Sequence, residues 1–225
     1  MSLRYFLALA LLGGAFAGPA DAIGNSSGPI RHLTYAFTYS GVADGAAAVD
    51  DRGTIVVDVI AIQPDNGLLV RVSEQSQRVR DAASVKCLVY GNTDVVCEAN
   101  AKINAEELTV IRLLGRNFAD PSKFDANGHR RESRSSPVVS VASDYAIDAS
   151  GNGILHVSTQ RVTTQYGPQG FTASAVGKII YDVYRTLPTS VTEDETTRSQ
   201  EANGHYSTTR VQTSVTLTSD SMAGP

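Results

Sequence analysis

Cys87 and Cys97, ten residues apart, are the two cysteines of this chain, and their surroundings decide their chemistry. The stretch between them reads Leu-Val-Tyr-Gly91-Asn92-Thr93-Asp94-Val-Val, two β-prone arms around a turn. A three-residue loop at 91–93 sets residue 90 opposite 94 and therefore Cys87 opposite Cys97. Opposed residues on paired strands lie close enough for a disulfide. The spacing is not C-x-x-C and no histidine is near, so a redox or metal pair is not indicated. A cross-strand disulfide is expected.

Other chemically suggestive patterns dissolve on inspection. Gly24-Asn-Ser26-Ser-Gly28 fits G-x-S-x-G, but a nucleophile elbow needs a strand before it and a helix after it. Here an apolar leader precedes it. Asp148-Ala-Ser150-Gly-Asn152-Gly153 matches half of a calcium loop, yet its twelfth position is Thr159 where a bidentate glutamate belongs. A hairpin turn is the better reading. His32, His129, His156 and His205 are nowhere closer than 27 residues, so no metal-binding spacing exists. No catalytic residue, metal ligand or cofactor is expected from these patterns, and nothing argues for an enzyme.

One basic stretch remains. Arg130, Arg131 and Arg134 lie in a segment that also carries Asp120, Asp125 and Glu132. They are candidates for contact with an anionic group, against the simpler reading of a solvated, internally paired loop. The formal net charge of −4 gives the whole protein no attraction to nucleic acid.

The elements that must position these residues are mostly strands. Arg4 followed by Tyr5 to Leu12 and by Ala15-Phe16-Ala17 or Ala20-Asp21-Ala22 has the layout of a cleaved secretory signal over residues 1–22. An exported protein, periplasmic or extracellular, is expected, with a flexible leader at 23–30 and one β-rich domain over 31–220. No later apolar run is long enough for a transmembrane helix. Aromatic content of 7% is too low for the girdles of a membrane barrel.

Period-two alternation marks strands at 33–40, 53–62, 68–73, 84–90, 94–100, 137–148, 153–164, 171–186 and 205–218. The segment 118–136 reads as loop, and the acidic tract 189–204 as edge strand or loop. Asn104-Ala-Glu-Glu107 is a capping-box start. Leu108, Ile111 and Leu114 then form the stripe of a helix of about ten residues, with Gly115 to stop it.

The expected fold is mainly β (α+β): a single curved antiparallel sheet or half-barrel of about eight or nine strands, with one mid-chain helix on it. In its strand–helix–strand order it resembles periplasmic half-barrels that carry lipids or lipoproteins. The resemblance implies a non-enzymatic carrier of an apolar or amphipathic, lipid-like ligand. Leu108, Ile111 and Leu114, with Phe171, Ala173 and Ala175 from one face of a long strand, are then the ligand-facing candidates. The alternatives are an envelope protein that binds another protein and, third, a secreted hydrolase.

Overall fold

The computed structural model describes residues 29–222 except 45, 64–65, 79–82, 91–93, 100, 116–117, 168–169 and 201–203. The expected signal segment with its candidate cleavage sites, and Ser26, lie outside the described residues.

Five strands come first: β1 (Arg31–Ala43), β2 (Val49–Ile62), β3 (Leu68–Ser76), β4 (Val85–Val89) and β5 (Val95–Cys97). Helix α1 (Ala105–Ile111) and a 3-10 turn at Pro121–Lys123 follow. Six more strands complete the chain: β6 (His129–Ser135), β7 (Val139–Gly151), β8 (Ile154–Gln165), β9 (Phe171–Asp182), β10 (Leu187–Gln200) and β11 (Tyr206–Asp220).

All eleven form one antiparallel sheet in the order β5-β4-β3-β2-β1-β11-β10-β9-β8-β7-β6. The first meander steps from the middle of the sheet out to one edge. The chain then crosses the sheet's inner face, laying α1 against it, and re-enters at the opposite edge as β6. The second meander steps back until β11 pairs with β1. The sheet curls so far that Arg134 on one edge strand forms an ion pair with Asp94 beside the other.

Alternation decides what faces inward. On β1, Leu33, Tyr35 and Phe37 are buried and pair with Val57, Ile55 and Gly53 of β2. This face, with Val70 and Val72 of β3 and Cys87 and Val89 of β4, packs around Val110, Ile111 and Leu114. A second apolar cluster joins Leu113, Phe118 and Ala119 to Val157, Ile179, Tyr181 and Val191 on β8, β9 and β10. The helix, with Leu113, Leu114, Phe118 and Ala119 after it, therefore fills both halves of the curl. Complete burial of side chains such as Leu33 and Ile111 stabilises by roughly 1.5–3 kcal/mol each.

The structure corrects the strand count. Residues 129–135, read as loop, form β6, and the tract read as edge or loop forms β10, which lies between β9 and β11. Both have polar inward faces, so local pattern hid them. The long strand expected at 171–186 ends at Asp182, where a tight turn through Thr186 (φ 56°) starts β10. Helix α1 has seven residues and stops before Leu114, which still reaches the core.

Candidate functional site

Beyond the two apolar clusters, the inner face of β7 to β11 is crossed by charge. Arg161 on β8 lies opposite Ala175 on β9, and Ala175 in turn lies opposite Glu195 on β10. The Arg161 guanidinium donates to Glu195 at 3.0 Å and to Glu193 at 2.7 Å, so it spans β9 completely. Only a small residue fits under such a span. Ala175 is 3% exposed beneath it. At Gly177, level with Glu193, a Cβ would run into the Thr192 carbonyl oxygen. The small residues of this strand thus serve a cross-strand ion bridge as well as curvature. Arg112, just past α1, joins the belt by donating to Glu193 at 3.1 Å.

A second charged group lies at the start of α1. Glu74 from β3 and Glu106 and Glu107 from the helix are 2–3% exposed. The Asn104 amide donates to Glu74 at 2.6 Å, and the Asn104 backbone N–H donates to Glu107 at 2.8 Å, which is the capping bond the sequence announced. Arg78 serves both Glu106 at 2.7 Å and Asp51 of β2, and its guanidinium stacks 4.3 Å over the Tyr39 ring. Burial pushes Glu107 up to about 7, with Glu74 and Glu106 adding to the rise against the Asn104 bond. Burial likewise raises Glu74. Asp51 goes the other way: burial opposes its charge, but bonds from Arg78, the Arg52 N–H and Ser76 outweigh it.

The expected site residues distribute as follows. Cys87 and Cys97 are joined in a disulfide, with Cα atoms 4.0 Å apart across the β4–β5 register. Ile111 and Leu114 belong to the first apolar cluster and Leu108 packs on its border. Phe171, Ala173 and Ala175 share the inward face of β9 but belong to neither cluster, so the helix stripe and this strand face do not line one apolar space. Ala173 is 3% exposed, whereas Phe171 remains half-buried. Level with it, Val139 and Val141 of β7 are half-buried too.

The three arginines sit on β6, each beside an acid. Arg130 is buried, donates to the Phe118 carbonyl at 2.9 Å and pairs with Glu132. Arg131 lies 3.5 Å from Asp144, and Arg134 meets Asp94. His32 bonds Asp58 at 2.7 Å on the outer face. Asn152 and Gly153 have positive φ values of 52° and 77°, the backbone of a two-residue hairpin turn between β7 and β8. Among the described residues no group of three or more metal-ligating side chains converges. Among the described residues no helix is long and apolar enough to cross a membrane.

A groove of about 630 Å3 runs across β2, β1, β11 and β10. Thr38, Ser40, Asp50, Thr192, Asp194 and Gln212 border it, all at register positions that alternate away from the buried face. It is therefore mainly a polar feature of the outer surface, although Tyr39, Asp51 and Glu193, from the helix seat and the belt, also line it.

The belt and the helix seat were not legible beforehand. Glu193 and Glu195 looked like solvated loop acids, and only the pairing of three strands brings Arg161 to them. An alternation of acids at 193 and 195 with Thr192, Asp194 and Thr196 was the available hint of a strand with a polar inner face.

No family model matches the chain, and no curated protein matches it. Among solved structures it is similar to an S-type phycobiliprotein lyase from Guillardia theta, with 10% identity over 83% of this chain and 87% of that one, at a TM-score of 0.35. It is also similar to a LolA superfamily protein from Nitrosomonas europaea, with 8% identity over 86% and 87% of the two chains and a TM-score of 0.24. Likeness at this level assigns no family and no activity.

Proposed function

We propose that this is an exported, non-enzymatic binding protein that holds an amphipathic ligand on the inner face of the curled sheet. One observation carries the reading. The strand halves of β7, β8 and β9 beyond the second apolar cluster face inward outside both clusters, and α1 rests chiefly on β3, β10 and β11. Val139, Val141 and Phe171 stay half-exposed there, on the same face as the Arg161–Glu195 bridge. Apolar surface beside a fixed charged belt suits a molecule with one apolar and one polar end better than a purely apolar one. The pattern of residues 1–22 supports export, and the mass of the secreted form, lacking residues 1–17 or 1–22, tests it.

The test is titration with a fluorescent fatty acid. Saturable binding at micromolar affinity is expected. Phe171→Asp should weaken it about tenfold or more, whereas Val176→Asp, on the outward side of the same strand, should not. Absence of saturable binding, or equal loss from both variants, overturns the reading. The rival, a protein that binds another protein without a small ligand, is favoured by the polar outer groove between Asp50 and Asp194. Loss of partner binding on Asp194→Lys, with fatty-acid binding absent from the wild type, would select it.

A further inference from the structure

The start of α1 combines a weak element with a concentration of like charge. A helix of seven residues does not hold itself by propensity, so packing must hold it. That packing is uneven. Val110 and Ile111, in the last turn, are completely buried in the first apolar cluster. The first turn presents Glu106 and Glu107 to Glu74 of β3.

Counter-charge is scarce at this point. Arg78 is divided between Glu106 and Asp51. From β1 comes only the Tyr39 phenol, stacked on Arg78. From β10, Glu193 faces the helix's far end and Glu195 lies within electrostatic reach of Tyr39, but both are engaged, by Arg112 and Arg161. Lys102 lies on the exposed approach before the helix cap. Glu74 receives the uncharged Asn104 amide on one oxygen, while its other oxygen, buried, has no hydrogen-bond partner. A buried carboxylate so placed is far more costly as an anion than as an acid.

We propose that the first turn of α1 is a pH-operated latch on the inner face of the sheet, seated on β3 in acid and released as Glu107 and Glu74 lose their protons. The proposal concerns regulation of the site described under the carrier reading and rests on it. Because Glu107 is raised from the ordinary glutamate range to about 7, the seated form is fully favoured below about pH 4.5. It weakens as pH climbs through about 7 and is flat above that. The last turn, anchored by Val110 and Ile111, acts as the hinge, and lifting the first turn widens access to the inner face.

The experiment follows amide exchange of residues 105–111 and uptake of a fluorescent fatty acid by the whole protein, at pH 5 and pH 8. Corrected for intrinsic rates, the amides of Glu107 and Leu108 should exchange about tenfold faster or more at pH 8, and uptake should speed up with them. Glu107→Gln keeps an oxygen to accept the Asn104 N–H. Combined with Glu74→Gln, it should abolish the pH difference and leave slow exchange at both values. Equal protection of the wild type at pH 5 and pH 8, or a pH difference that survives in the double variant, overturns the latch. Exchange that depends on pH without any fatty-acid binding upholds the latch and overturns the carrier reading. Fatty-acid binding with exchange indifferent to pH does the reverse.

Discussion

The two meanders are built on the same ladder and filled by different means. Between β1 and β5 the inner face is aliphatic and aromatic, from Leu33 and Tyr35 through Val57 and Val72 to Val89, except for Asp51 and Glu74 at the helix seat, and it closes on the helix. Between β6 and β11 the packed apolar filling stops at Val157, Ile179 and Val191, and the rest of the face carries alanine, glycine, threonine, the half-buried Val139, Val141 and Phe171, and the Arg161 bridge. The first half spends its strands on a core. In the second, strand length runs past the core and leaves surface that something else must wet or occupy. Burying ions rarely adds stability over an apolar filling, so the belt is better explained by what it leaves open than by what it holds together.

Four substitutions, in three experiments, measure that contrast. The largest effect belongs to the first half: Leu33→Ala removes a completely buried side chain and should lower unfolding stability by about 3 kcal/mol in a denaturant titration. A loss under about 1 kcal/mol would mean that the apolar half is not the stability centre.

Next comes Ala175→Leu, which forces a larger side chain under the ion bridge and should cost about 2 kcal/mol. Pairing it with Arg161→Met frees the space, so the double variant should recover about 1 kcal/mol of that loss. Strict additivity would show that the bridge does not press on Ala175. The smallest effect is expected of Arg131→Ala. Its side chain is 75% exposed and 3.5 Å from Asp144, so the melting profile should change by less than about 0.5 kcal/mol. A larger change would mean that this edge strand depends on its surface charges.

What the sequence disclosed follows the range of the physics involved. The disulfide was legible because a short turn fixes which residues oppose each other, with no reference to the rest of the fold. The capping bond of Asn104 with Glu107 was legible for the same reason. Strands β6 and β10 were not. Arg130 turns inward to bind the Phe118 carbonyl, and Glu193 turns inward to meet Arg112 and Arg161 from two other elements. A charged residue whose partner lies 12, 81 or 32 positions away reads as solvent-facing until the partner is placed. The candidate site shows the same limit: Ala175, read as ligand-facing, lies on the inner face beneath an ion bridge that its own sequence neighbours do not announce.

The pairing of β1 with β11 has a consequence for how the molecule is made. Each meander zips between neighbours in sequence, at little loop-closure cost. The ladder between the two meanders joins the beginning of the described chain to its end, with Arg31 held to Asp220 across 189 residues. A ribosome or an export channel delivering the chain from its N-terminus thus produces a half-sheet in which β1, central in the finished sheet, waits with an open edge until β11 emerges. Until then β1 is a template for any extended segment that passes. A truncation that removes β11 leaves that edge exposed permanently, so chains cut short near the C-terminus should aggregate, whereas loss of the residues after Met222 leaves the seam between the two meanders complete.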